Sequence, residues 1–525
     1  MLVPTITKFQ NIPKTDKAYG GTLIWGTRNK PTIINPVLIT HSVSASLKEL
    51  IFNSLVRINS KGKIEPDLAE SWDISSDDLV YTFHLRKGVR FHDARECTAF
   101  DVKFTYDKLI DPKINSPFRL SFQLAKEFKV VDAYTFQIIL NKPSVPFIYR
   151  LTNIEIMPKH LLEKVDLKDC LFNSHPVGTG PFRFKQWTKE DEITLEYNPD
   201  YYEGRPYLDK IIVKTYPTSR DVWAALMRGE VDFVEFIERE DYEILKDDPA
   251  FKAYALPIDC YYAISYNPED SILADRKIRK AITYAVDIKS LIERVAGGYG
   301  LESNGPFYPE SLGFNPEVKP FEYNSEKAQA LLAEAGWKDI DNDGILEKEG
   351  EELELKVLID TRSDIYKRIA MVIRQQLQEI GIKIKLQLYN HEDMLTKEFL
   401  GQNRVQAHLR LFLGGTDPDD TAAHWYSREC KRMSRLWTYN NEEIDKLFEL
   451  GRVTKDKEKR QEIYQKIHQL IYQDESACFL YFPVDFHAVS AKFKGIDEFF
   501  TLSMPYYTLR DWHLSTQIIT DGKHR

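Results

Sequence analysis

Between Leu208 and Tyr216 the chain reads LDKIIVKTY, an apolar, β-branched run of the kind a buried strand needs. Ser219 can then cap a helix that carries Asp221 in its first turn and meets Gly229 just past its last. Val222, Ala225 and Leu226 share one face of that helix, and Trp223 and Met227 widen it. Val231–Phe236 resumes as a strand, so the unit predicts a right-handed crossover onto a parallel sheet. It lies mid-chain, and sequence on both sides must return to it.

Ahead of it, residues 1–18 read as a flexible lead-in, Gly20–Gly26 as a short strand and Leu47–Arg57 as a helix with Ser46 as its cap. From Asn59 the texture changes to short strands and turns, with Val80, Thr82 and His84 alternating against Tyr81, Phe83 and Leu85. A helix follows from Thr98, then strands at 129–131 and 135–140. Beyond the central unit, Asp275–Val295 has the pattern of one long helix. Leu353–Asp360, a helix stopped by Gly381, the alternating Ile382–Leu388, a short helix over 391–400 and Val405–Leu413 then spell β-α-β-α-β, a second parallel-sheet lobe. Helices over 441–451 and 457–472 precede a last strand, Cys478–Phe482. Two α/β lobes joined by more than one crossing predict a hinged body with a cleft.

At 525 residues the chain exceeds a single core, and domains of about 100–200 residues suggest three. A net charge of −9 argues against nucleic acid or an anionic membrane as the main partner. No run approaches the ~18–20 apolar residues of a membrane span. The N-terminal residues lack the charged and apolar regions of a signal peptide, which leaves a cytoplasmic protein or a removed leader equally open. Five scattered cysteines with no CxxC offer no zinc or redox spacing.

No GxSxG, HExxH or GxxxxGK[ST] pattern is present. Gly178-Thr179-Gly180-Pro181 lacks the third glycine of a dinucleotide loop and reads as a turn or hinge. Asp339, Asp341, Asp343 and Gly344 resemble the start of an EF-hand loop, but Gly350 stands where the bidentate glutamate belongs, so an acidic hairpin turn competes with a weak calcium site. His92-Asp93 would suit a metal or an acid–base pair if a third partner existed; otherwise the aspartate holds a turn. Gly414-Gly415-Thr416-Asp417-Pro418-Asp419-Asp420 follows the last strand of the second lobe, at the carboxyl end where open α/β sheets hold ligands. Its glycines admit close backbone approach and its carboxylates can receive an ammonium, or else Asp419 or Asp420 caps a helix.

Taken in order, GGTLIWG, PDLAESWDIS, TFHLRKGVRFHD, TAFDVKFTYDKL, HPVGTGPF, LEYNPDYY, MRGEVDF, DRKIRKAITYAVD, LLAEAGW and DPDD resemble the extracellular solute-binding proteins of family 5, the peptide-binding components of ABC importers. The resemblance covers nearly everything from Gly20 onward. It implies an α/β, two-lobed fold like the type II periplasmic binding proteins, with an extra β-rich domain. Domain I would comprise 1–52, 176–266 and 482–525, domain II the insertion 53–175, and domain III 267–481. It implies a monomeric, non-enzymatic protein without cofactor or metal, exported to the periplasmic or extracellular face of the membrane. There it would close on a peptide-like solute and deliver it to a membrane permease; an oligosaccharide, a nickel chelate or another small solute is the alternative.

In this family the ligand's ammonium is commonly held by an aspartate of the loop matching TDPDD, which the resemblance places at Asp417. His41 and Ser42 match a segment beside the ligand backbone, Phe118 an aromatic position near the cleft, Phe236 and Ile237 a contact loop, and Tyr481 the return crossing. Two departures bear on the ligand: glycines stand where many relatives carry a tryptophan, and the apolar Phe236-Ile237 follows the VDF strand.

Overall fold

The computed structural model describes residues 19–39, 42–361, 363–390, 405–433, 439–497, 499, 501 and 504–515. It divides into two compact units, residues 1–142, 150–254 and 486–525 in the first and 143–149 and 255–485 in the second.

In the first unit, β1 (Thr22–Thr27) lies between β2 (Lys210–Thr215) and β3 (Phe233–Glu235), parallel to both. The predicted strand–helix–strand is therefore a parallel crossover, with the first strand of the chain inserted between its two arms. Helix α2 (Ser219–Met227) makes the connection. Its cap is Thr218, one residue before the expected Ser219: Thr218 accepts the Asp221 N–H while Asp221 reaches back to Thr218, a capping box. Val222, Ala225 and Leu226 are buried as predicted, whereas Met227 is exposed. A hairpin of Phe182–Trp187 and Glu192–Tyr197 extends the sheet antiparallel from β2.

The same unit holds a four-stranded antiparallel sheet of Ala69–Ile74, Val80–Leu85, Thr135–Leu140 and Ala125–Asp132. Tyr81, Phe83 and Leu85 point into its core, as the alternation requires. Helix α1 (Ser42–Ile51) starts four residues before the expected cap and ends sooner. The chain crosses its end at Gly178–Gly180. The Gly180 N–H bonds the Ile51 carbonyl at 2.8 Å, and a Cβ on either glycine would overlap the Ile51 backbone. Only glycine permits that approach.

In the second unit, β4 (Cys260–Tyr266), β5 (Glu354–Asp360), β6 (Lys383–Tyr389), β7 (Ala407–Leu413) and β8 (Ala477–Ser490) build one sheet. Its order is β6-β5-β7-β4-β8, with β5 parallel to both β6 and β7 and the rest antiparallel. Helix α3 (Asp364–Gln378) connects β5 to β6, as parallel neighbours demand. The long helix expected over 275–295 is two, Arg276–Ala285 and Ile288–Ala296, because Val286 turns extended and Asp287 caps the second helix through the Ser290 N–H. These helices and α3 cover one face of the sheet around Ile264, Ile282, Leu355 and Ile373. Helices α4 (Glu442–Val453) and α5 (Lys457–Asp474) cover the other around Tyr261, Trp425, Phe448 and Tyr464. The helix expected over 391–400 lies outside the described residues. Strand β8 reaches Ser490, eight residues beyond its predicted end, and the division between units falls within it. Among the described residues, no helix is long and apolar enough to cross a membrane.

Candidate functional site

The carboxyl edge of the second unit's sheet is where the sequence directs attention. Parallel β5, β6 and β7 all end there, at Asp360, Tyr389 and Leu413. Because β4 runs antiparallel to β7, with Cys260 opposite Leu413, its first residues and Asp259 join the same edge.

Asp417 sits in the loop beyond β7 and is 2% exposed. Arg460 of α5 approaches it with both terminal nitrogens, Nη2 to Oδ1 at 2.7 Å and Nη1 to Oδ2 at 2.8 Å. Asp417 Oδ1 also accepts the Asp419 N–H, making it the cap of a short 3₁₀ turn, and Arg460 Nε donates to the Gly451 carbonyl. Asp417 holds the guanidinium above its ordinary value despite burial. Asp419 is buried too and receives Arg452 Nε at 2.7 Å and the Tyr464 hydroxyl at 3.1 Å. The acidic loop thus fastens α4 and α5 to the end of β7, and an ammonium at Asp417 would have to share its carboxylate with Arg460. No local pattern points to that partner, 43 residues downstream.

Asp259 and Asp485 were not singled out, yet both are carboxylates at this edge without a cation beside them among the described residues. Burial pushes Asp259 up to about 6 although its Oδ2 accepts the Gly415 N–H at 3.1 Å. Burial alone pushes Asp485 up to about 6. A signal did exist for Asp485, a lone charge inside the apolar run FLYFPVDFHAV. Tyr481 is 1% exposed and packs on Tyr262 with ring centroids 5.2 Å apart. The contacts of Tyr481 and those of Asp417 are separate sets.

The remaining expected contacts lie in the first unit. Phe118 is half-buried with the Lys48 ammonium 5.8 Å from its ring centre. Phe236 follows β3 with φ +56° and is 45% exposed, its ring 5.4 Å from that of buried His487. A left-handed phenylalanine is a strained choice, and such strain persists where a side chain must be aimed. Ile237 is buried, and its N–H bonds the Phe486 carbonyl at 2.9 Å. Ser42 opens α1, while His41 lies outside the described residues.

His92 is half-buried and structural. Its Nε2 meets the Gly180 carbonyl at 3.1 Å, its Nδ1 takes the Gly178 N–H at 3.3 Å, and burial lowers it to about 4. Both ring nitrogens of the neutral form are spent on holding the glycine crossing. Asp93 pairs with His160 at 2.6 Å, a partner the sequence did not suggest. In the acidic turn, Asp339, Asp341, Asp343 and Glu347 bring four carboxylate oxygens within 4.8 Å of one another. Three of these aspartates also accept turn N–H groups, from Gly344, Asp343 and Ile345, which is the hairpin-turn chemistry expected of them.

Residues 63–432 match the family described as bacterial extracellular solute-binding proteins, family 5. The oligopeptide-binding protein AppA of Bacillus subtilis is 30% identical over 503 residues, 94% of this chain and 92% of that protein. Its structure with a nonapeptide superposes with a TM-score of 0.78 over 95% of this chain and all of that one. The dipeptide-binding protein of Escherichia coli is 28% identical, covering 90% of this chain and 91% of its own length. NikZ from Campylobacter jejuni, in complex with Ni(L-His), is 27% identical with a TM-score of 0.78 over 94% of this chain and 99% of that one.

Proposed function

The chain belongs to the bacterial extracellular solute-binding proteins of family 5, and from that premise we propose that it is the solute-receiving subunit of an ABC importer. It captures a peptide-like solute by hinge closure, without chemistry, and delivers it to a membrane permease. The three-domain division, a monomeric state and a station on the outer face of the membrane are part of the same proposal.

One observation carries the choice of a peptide-like solute: AppA, whose structure contains a nonapeptide, matches this chain along 95% of its length at 30% identity. Phe236 is proposed as a contact that tolerates varied side chains, in keeping with its exposed ring and enforced backbone. His41, Ser42, Phe118, Ile237 and Tyr481 are proposed to complete the lining. Asp417, which the resemblance offers as the ammonium holder, is proposed instead to clamp its loop through Arg460, which takes both of its carboxylate oxygens. Catalysis by His92 and Asp93 is disfavoured because their polar atoms already hold backbone and His160.

NikZ supports the second reading, a chelated metal as the solute. Mass spectrometry of solute released from natively purified protein decides between them. Peptides of a few residues support the proposal, and a metal chelate or a sugar overturns it.

A further inference from the structure

Strand β8 carries a chemical asymmetry at the carboxyl edge of the second unit. Period two places Tyr481, Pro483 and Asp485 on one face of it. Tyr262 of β4 lies directly opposite Tyr481, so Tyr262 and Cys260 project to that same face. Tyr366 closes edge-on against Tyr262, ring centroids 5.7 Å apart. The result is an aromatic wall with its rings buried: Tyr262 is 8% exposed and Tyr481 1%. Neither of these two hydroxyls makes a hydrogen bond to a described residue, and neither is among the sealed polar atoms of the interior.

Beside the wall stand the two carboxylates. The charge of Asp485 is felt at both Tyr262 and Cys260, and that of Asp259 at Cys260. Asp485 makes no hydrogen bond or ion pair to any described residue. Asp259 keeps Oδ1 without a donor among them, while its carboxylate fills the space that a side chain at Gly414 would occupy. Arg368 acts on Tyr481 but on neither aspartate. Desolvated negative charge with nothing positive beside it is unfavourable unless a partner arrives.

We infer that Asp485 and Asp259, with the hydroxyls of Tyr262 and Tyr481, hold a cationic nitrogen of the solute, an ammonium or protonated amine. The donor count fits. An ammonium offers three N–H groups, which two carboxylates and a phenol oxygen can accept. A hard divalent cation would need six or more oxygens and is poorly served by neutral phenols. In a peptide-like solute the cation is the α-ammonium or a basic side chain, so the inference deepens the solute-binding reading and rests on it.

The test exposes wild type, Asp485→Asn and Asp259→Asn to a randomised pentapeptide library in free and N-acetylated forms. Non-peptide amines and neutral sugars are screened in parallel, with retained solutes identified by mass spectrometry and titrated by calorimetry. Wild type is expected to retain amine-bearing solutes, and each variant to lose roughly thirtyfold or more of the affinity for them. Neutral solutes should be unaffected, and the ligand-free melting temperature unchanged or raised, since an uncompensated charge is removed. If only non-peptide amines bind and depend on the two aspartates, the anchor stands and the peptide reading falls. If free and acetylated peptides bind equally to all three proteins, the peptide reading stands and the anchor falls. A fall in melting temperature with equal loss of charged and neutral solutes would assign the aspartates a structural role and overturn the anchor.

Discussion

Removing the charge of Asp417 while keeping its shape separates two roles that the sequence could not. In the Asp417→Asn variant the amide still accepts the Asp419 N–H and one Arg460 bond, but the guanidinium, 6% exposed at its side chain, loses its counter-charge. Stranding one member of a buried ion pair costs about 3–5 kcal/mol. For a unit of this size each kcal/mol lowers the melting temperature by about 2–4 °C, so the second unit should melt roughly 6–20 °C early. Scanning calorimetry of the variant beside wild type reads this directly. The Asp417→Asn/Arg460→Met double variant, with neither charge left to bury, should regain most of the loss. Solute binding by Asp417→Asn, measured well below its melting point, should keep its preference for amines. A single variant that melts within about 2 °C of wild type, yet no longer discriminates free from acetylated peptides, would refute the clamp and make Asp417 the ligand's anchor.

Three further outcomes follow from particular contacts. Gly178→Ala forces a Cβ into the Ile51 carbonyl and should cost about 3 kcal/mol or more, visible as a lower denaturant midpoint; a neutral result would mean the crossing is not tight. His92 is lowered to about 4 by burial, so its stabilising contribution is complete above the unfolded value near 6.5 and is lost as pH falls from there towards 4. His92→Gln, which keeps a donor and an acceptor, should flatten that acid limb, and parallel stability curves between pH 7 and 4 would exclude His92 as its source. At Phe236, with φ +56°, glycine should be more stable than alanine by about 1 kcal/mol although both lose the ring, and an alanine variant equal to glycine by chemical denaturation would remove the argument from strain.

Elements with a clean period were legible. The alternation at 80–85 put Tyr81, Phe83 and Leu85 inside, and the central crossover came out parallel. What misled was a pattern that continued through a break. Apolar spacing from Ile278 to Val295 runs on unchanged, yet Asp287 bonds the Ser290 N–H and starts a new helix. A capping aspartate inside a helical period competes with the period, and here the cap won. The alternation of Ile382–Leu388 likewise overreached, since Leu388 is 62% exposed where the edge strand β6 ends.

The candidate site failed to read out for a different reason. Sequence places a carboxylate on an edge but not its counter-ion. Asp417, Asp259 and Asp485 all lie at the carboxyl edge of one sheet, and only Asp417 stood in a recognisable motif. The structure reverses the order of interest. The motif aspartate is neutralised within the chain by Arg460, a pairing that local spacing cannot encode. Asp259 and Asp485 meet no cation among the described residues and are pushed towards protonation by burial. A carboxylate that has its cation stabilises the fold, while one kept desolvated without a cation has spent stability on something the folded chain alone does not use. In a solute-binding protein the missing charge is most economically carried by the solute, which is why the preference for amines should follow Asp485 and Asp259 rather than Asp417.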